Sequence, residues 1–323
     1  MFSKLFSSSS ILIIFIFFSI NKGIFGTTFN LINRCDYNVW PGILPNAGSD
    51  KLDSTGFMLA PGDSRVFQAP QEWSGRVWGR TGCNFDANTG QGNCATGDCG
   101  SNQMECNGAG ATPPATLAEF TIFSGTKQDF YDVSLVDGYN LPMAIQAVGG
   151  SGTCDTTGCV KDLNQMCPNE LRVGDGQACK SACEAFGTPE YCCSGAYGSP
   201  TTCKPSTYSA MFKNACPKSY SYAYDDATST FTCTGADYTI TFCPSLTSQK
   251  SSRDSSVGTG NGFSIGNGGS GSGSSPPEDP FPFGSSWLPG FMTGNSSRTT
   301  FSYFNSTISF FIFSFLHFLL AFS

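Results

Sequence analysis

The sequence predicts an all-β-dominated domain, a sandwich or barrel of short strands held by disulfides. Three observations carry this. Apolar and polar residues alternate over short runs, turn pairs such as Pro-Gly and Asp-Gly interrupt those runs, and sixteen cysteines follow an apolar leader. Only two short stretches have helical character, so alternating strand-helix architectures are disfavoured.

From Thr28 the pattern is strand-like, with Phe29 and Leu31 followed by Val39-Trp40, and Pro41-Gly42 reads as a turn. Residues 56–60, 64–69 and 76–80 read as further strands separated by Pro61-Gly62-Asp63 and Gly75. Residues 83–106 hold Cys83, Cys94, Cys99 and Cys106 among Gly, Asn, Thr and Asp, with too few apolar side chains for a core, so covalent bonds must hold this part. Strand character resumes over 117–123 and 130–148. Within it, Tyr131, Val133 and Leu135 alternate with Asp132 and Ser134, and Asp137-Gly138 closes the run as a turn. The five-residue spacing puts Asp132 and Asp137 on opposite faces of an ideal strand, so their carboxyls converge only if the chain bends between them.

Residues 154–216 are again cysteine-rich. A helix is expected over 177–186, stopped by Gly187, with Cys179 and Cys183 on one face, and a second over 206–215 with Ser206 as N-cap and Pro217 beyond its end. Residues 231–233 and 238–243 return to alternation as final strands.

Both ends have a different character. Residues 1–26 carry Lys4, the apolar run 11–20, Lys22 and small residues, the layout of a secretory signal peptide cleaved near Gly26-Thr27. Residues 245–294 are rich in Ser, Gly, Pro and Asn and read as a flexible stalk. Residues 295–323 join a small-residue cluster, a polar spacer and an apolar tail, the order of a GPI-attachment signal with Asn295 or Ser296 as the attachment residue. The tail is shorter than the ~20 residues of a span, and release by a phosphatidylinositol-specific phospholipase separates the two readings. The expected location is the extracellular face of the plasma membrane, through a GPI anchor in the outer leaflet, with the cell wall as the surrounding space. Asn295 and Asn305 begin the Asn-x-Ser/Thr sequons.

Composition excludes several function classes. The only histidine, His317, lies in the apolar tail, so a Ser-His-Asp or Cys-His nucleophile and imidazole metal ligands are not expected in the domain. No Cys-x-x-Cys pair suggests zinc, and no cofactor or metal is expected. Over residues 27–244 there are 12 Lys or Arg against 21 Asp or Glu, a net charge of −9, which disfavours nucleic acid as a partner.

The run Gly90-Gln91-Gly92-Asn93-Cys94-Ala95-Thr96-Gly97-Asp98-Cys99, followed by Cys106, resembles the signature of the thaumatin-like proteins, the pathogenesis-related group that includes osmotin and zeamatin. Phe29-Asn30-Leu31, Val77-Trp78-Gly79-Arg80-Thr81, Leu117-Ala118-Glu119-Phe120-Thr121, residues 130–143, Tyr191-Cys192-Cys193-Ser194-Gly195 and Phe242-Cys243-Pro244 resemble family segments in family order, covering residues 27–244. Asn102 departs from the pattern, standing where the signature has Gly. The resemblance implies a flattened β-sandwich from residues 27–80, 121–160 and 217–244, with two disulfide-rich excursions, 81–120 and 161–216, the larger containing short helices. It also implies the pairing Cys35–Cys243, Cys83–Cys94, Cys99–Cys106, Cys154–Cys233, Cys159–Cys216, Cys167–Cys179, Cys183–Cys192 and Cys193–Cys203, and a monomer.

In antifungal relatives one basic residue and four acids line a cleft, and the matching positions here are Arg76, Glu119, Asp132, Asp137 and Asp225. The implied ligand is β-1,3-glucan or another wall polysaccharide. Carboxylates accept hydrogen bonds from sugar hydroxyls, and Tyr131, Tyr139, Tyr222 or Tyr224 offer rings for stacking. Glycosidic cleavage needs one neutral and one ionised carboxyl, which crowding of acids beside an arginine can provide. On that reading Glu119 is the acid and Asp132 or Asp137 the base of a weak endo-β-1,3-glucanase, with Asp225 and Arg76 shaping charge. Three functions stand: glucan binding in defence or the cell wall, weak glucan hydrolysis, and a surface-tethered protein-interaction module.

Overall fold

The computed structural model describes residues 26–245. The signal, stalk and anchor readings, with Asn295 and Ser296, lie outside the described residues. Nine strands form one continuous sheet: β1 (Thr28–Asn33), β2 (Trp40–Pro45), β3 (Ser64–Gln68), β4 (Ser74–Arg80), β5 (Leu117–Thr121), β6 (Asp129–Ser134), β7 (Met143–Ser151), β8 (Thr157–Cys159) and β9 (Phe231–Phe242).

The long strand β9 makes the sheet into a sandwich. Its first residues, 231–233, pair with β6, which continues through β5 and β4 to β2. Its later residues pair with β7 on one side and, in parallel, with β1 on the other, and β1 pairs in turn with β3. Within the β7 pairing the ladder skips Gly235, which takes φ +66°, a conformation open to glycine without steric cost. One strand therefore serves both layers, where alternation alone suggests two separate strands.

The layers enclose a core in which Phe29, Tyr238, Ile240 and Ile145 face Val77, Ala118, Phe120, Tyr131 and Val133. Phe120 joins the layers directly, its ring centroid 4.7 Å from Phe29 and 5.4 Å from Tyr238. Two smaller apolar clusters lie outside this core. One places Cys99, Cys106 and Ala115 against Trp78 and Leu117, and the other packs Leu163, Leu171 and Phe212 with Leu135 and Tyr139.

All eight disulfides implied by the resemblance are present, and no cysteine among the described residues is free. Such a set belongs to a protein that folds in an oxidising compartment. Among the described residues no helix is long and apolar enough to cross a membrane.

Several sequence expectations are corrected. Pro41-Gly42 does not turn the chain but lies within β2, at the end of its layer, where the missing N–H of Pro41 is tolerated. Gly42 is required there because a Cβ would stand 2.4 Å from the Trp78 ring. Residues 56–60 make only isolated bridges, Gly42 to Gly56 and Val39 to Leu59. The expected helix over 177–186 shortens to α1 (Ala182–Phe186), because Cys179 instead exchanges 2.8 Å backbone bonds with Tyr139. Cys179 and Cys183 consequently do not share a helix. Leu117–Thr121 belongs to the sandwich, so the first excursion ends before Leu117.

The second helix, α2 (Thr207–Ala215), follows its expected caps. Ser206 accepts the N–H of Ser209 at 3.0 Å, and Phe212 is buried beneath. Asn102 takes φ +56°, the left-handed conformation in which Asn can stand in for Gly.

Candidate functional site

Strand register builds the site. Arg76 pairs with Glu119 across β4 and β5, and Glu119 pairs with Asp132 across β5 and β6. Their neighbours Val77, Ala118 and Val133 point into the main core, so alternation turns Arg76, Glu119 and Asp132 onto the opposite face in one row. The first excursion covers the same face further along, over Trp78 and Leu117. The charged row stands beyond that cover, with Arg76 24% and Glu119 36% exposed.

The chain turns between Asp132 and Asp137. Strand β6 ends at Ser134, and Gly138 donates its N–H to the carbonyl of Leu135 at 3.0 Å, closing a turn. Gly138 takes φ +83°, and a Cβ there would meet the carbonyl oxygen of Cys179 at 2.7 Å. Asp137 thereby comes under the influence of the same Arg76 charge as Glu119 and Asp132.

Burial and mutual repulsion set the proton affinities. Asp132 is pushed well above the usual carboxylate range, first by burial and then by Glu119 and Asp226, against the opposing pull of Arg76. Its Oδ1 is buried without a hydrogen-bond partner, so no donor offsets the loss of water around the charged form. Burial also raises Glu119 and Asp137, and Arg76 opposes both shifts. Arg76 Nε lies 3.9 Å from Glu119 Oε1, which favours ionised Glu119. Glu119 is thus the carboxylate with the cation beside it, and Asp132 is the one whose buried oxygen has no donor.

Asp225 does not join the row. Its Oδ2 accepts from Ser221 N–H and Ser221 Oγ, each at 2.9 Å, and pairs with Lys213 at 3.0 Å. This arrangement holds a loop and neutralises the charge. The next residue, Asp226, is the one whose charge reaches Asp132, and it accepts the Tyr220 hydroxyl at 3.0 Å.

Two of the expected stacking rings are unavailable. Tyr131 and Tyr139 are fully buried, their hydroxyls donating to the carbonyls of Asp155 at 2.6 Å and Lys161 at 2.9 Å. Tyr222 and Tyr224 are half-buried.

Sequence reading also missed Glu184, on α1 in the larger excursion. The pattern Ser181-Ala182-Cys183-Glu184 reads as a helix capping box, and Ser181 Oγ does accept the Glu184 N–H at 3.2 Å. The Glu184 carboxyl is pushed up to about 7, mainly by burial, with Lys180 opposing and Asp137 adding to the rise. Its Oε2 is buried without a hydrogen-bond partner.

A raised carboxyl favours the folded state while protonated. Its contribution is complete below the ordinary value of 4.5 and is lost as pH rises through about 7. Glu184→Gln is expected to melt above the wild type at pH 8 by on the order of 1 kcal/mol or less after solvent screening, and to match it near pH 5. Thermal melts at both pH values check this, and a difference that does not change with pH contradicts it.

Comparison with known proteins adds identity to this geometry. A family profile described as "Thaumatin family" matches residues 33–244. The chain belongs to the thaumatin family. Thaumatin-like protein 1 of Arabidopsis thaliana is 74% identical over 227 residues, covering 68% of this chain and 87% of the relative. Pathogenesis-related thaumatin-like protein 3.5 of Cryptomeria japonica is 64% identical over 222 residues, covering 68% and 90%. A protein of Prunus avium named glucan endo-1,3-beta-glucosidase is 53% identical over 227 residues, covering 69% and 92%.

Proposed function

We propose that this thaumatin-family domain binds a neutral wall polysaccharide, β-1,3-glucan, through the face carrying Arg76, Glu119, Asp132 and Asp137. The observation that carries the reading is the in-register row on a partly open face, with Asp137 within the field of the same arginine. A polyol suits such a row because each hydroxyl both donates and accepts, meeting carboxylate and guanidinium alike. The negative domain disfavours polyanions. The tail expectations, which lie outside the described residues, would put this face at the cell surface.

A second reading is hydrolysis, supported by the unequal proton affinities of Asp132 and Glu119 and by the name of the Prunus avium relative. Protonated Asp132 would give its proton to the glycosidic oxygen as the bond to the anomeric carbon breaks. Ionised Glu119 would take a proton from the water that attacks that carbon, leaving two shorter chains.

One assay separates the readings. The purified protein is incubated with insoluble β-1,3-glucan, and bound protein and released reducing ends are both measured, with Asp132→Asn and Glu119→Gln alongside. Binding weakened about tenfold in either variant supports the site. Release reduced about 100-fold adds hydrolysis. Wild-type protein that neither binds nor releases would sink both carbohydrate readings and leave the interaction module.

A further inference from the structure

The row of Arg76, Glu119 and Asp132 continues past β6. The first residues of β9 pair with β6 in antiparallel register, Phe231 against Tyr131 and Thr232 against Phe130. Carried one residue back along the chain, that register sets Thr230, whose backbone is extended, across from Asp132. Tyr220 reaches the same place beside β6. Its N–H donates to the carbonyl of Val133 and its carbonyl accepts the N–H of Leu135, each at 2.9 Å, in a bridge with Ser134. Its hydroxyl bonds Thr230 Oγ1 and donates to Asp226 Oδ1 at 3.0 Å. A phenol has one proton to give, so Thr230 donates to Tyr220 and Tyr220 to Asp226, a chain directed at one carboxylate. Asp226 is exposed. Among the described residues no Lys or Arg pairs with it, whereas Lys213 neutralises Asp225.

We propose that Asp226, held by Tyr220 and Thr230, is a positioning residue of the polysaccharide site, the negative end of a row whose positive end is Arg76. The inference rests on the polysaccharide reading above. A cation at one end and an anion at the other polarise the row, with Glu119 on the side of Arg76 and Asp132 on the side of Asp226. Glu119 from β5 and Asp226 from the segment before β9 oppose ionisation of Asp132, and Arg76 from β4 favours it. The Tyr220 hydroxyl, which also faces Asp132, stays neutral, raised first by burial. The proton for which Glu119 and Asp132 compete is thereby directed to Asp132, which offers it to a sugar oxygen, and Glu119 is left to accept from a sugar hydroxyl.

Carbon-13 NMR titration of the Asp132 carboxyl in the purified protein without ligand tests the inference, alongside binding to insoluble β-1,3-glucan across pH. Asp226→Asn is expected to lower the Asp132 midpoint by about one pH unit, and Asp226→Glu to keep it near that of the wild type. Tyr220→Phe, which releases the Asp226 carboxylate, is expected to lower it by a smaller amount. The high-pH limb of glucan binding is expected to move down with the midpoint in Asp226→Asn, a change that a merely structural role would not produce. An Asp132 midpoint in Asp226→Asn within about 0.2 pH unit of the wild type overturns the inference and leaves the polysaccharide reading in place. A wild type that binds no glucan at any pH removes that reading, and the role of Asp226 in it, whatever the titration shows.

Discussion

Replacing Cys35 and Cys243 together by Ser is expected to lower stability by about 3–5 kcal/mol. The bond joins the chain just beyond β1 to the residue after β9, across 208 positions of sequence. These two strands pair in parallel, and no local turn can hold them together. Closing so long a loop is costly for the unfolded chain without the bond, although the other seven disulfides shorten the effective loop. Cys35 is also buried in the main core, so the polar replacement adds to the loss. Denaturant titration under oxidising conditions measures the effect, and a loss below about 1 kcal/mol would show that the β1–β9 pairing does not depend on the bond.

Arg76→Ala is expected to lower glucan binding, or release where it occurs, about tenfold or more, with Arg76→Lys retaining part of it. Arg76 is the cation that opposes the upward shifts of Glu119, Asp132 and Asp137 together. Without it, all three hold their protons to higher pH, and the row loses the ionised carboxylate that both readings require. The pH profile should therefore move to higher pH as well as falling in height. Lys preserves the charge but not the planar fork. Equal activity and an unshifted profile in the Ala variant would remove Arg76 from the site.

Much of the fold was legible from alternation, because a half-buried strand must put its apolar residues on one face. The same logic reveals the error over Tyr131. Tyr131, Val133 and Leu135 share a face in the sequence, and that face proved to be the one turned inward. Tertiary pairing was not: Cys179 looks helical until its bonds to Tyr139 are seen, and Pro41-Gly42 looks like a turn until β4 lies beside it. Sequence cannot choose between Asp225 and Asp226, adjacent acids of which one meets Lys213 and the other's charge reaches Asp132. Glu184 was hidden because a capping-box glutamate ordinarily turns back to its own helix.

The carboxylate row is the centre of the functional reading, and carbon-13 NMR titration of the side-chain carboxyls, with and without a soluble β-1,3-glucan oligosaccharide, tests it most directly. Asp132 is expected to titrate above Glu119, both above ordinary exposed acids, and the carboxyl signals of both are expected to move when the oligosaccharide is added. An Asp132 that titrates like an exposed aspartate, or carboxyl signals in the row that stay still at saturating oligosaccharide, would contradict the account.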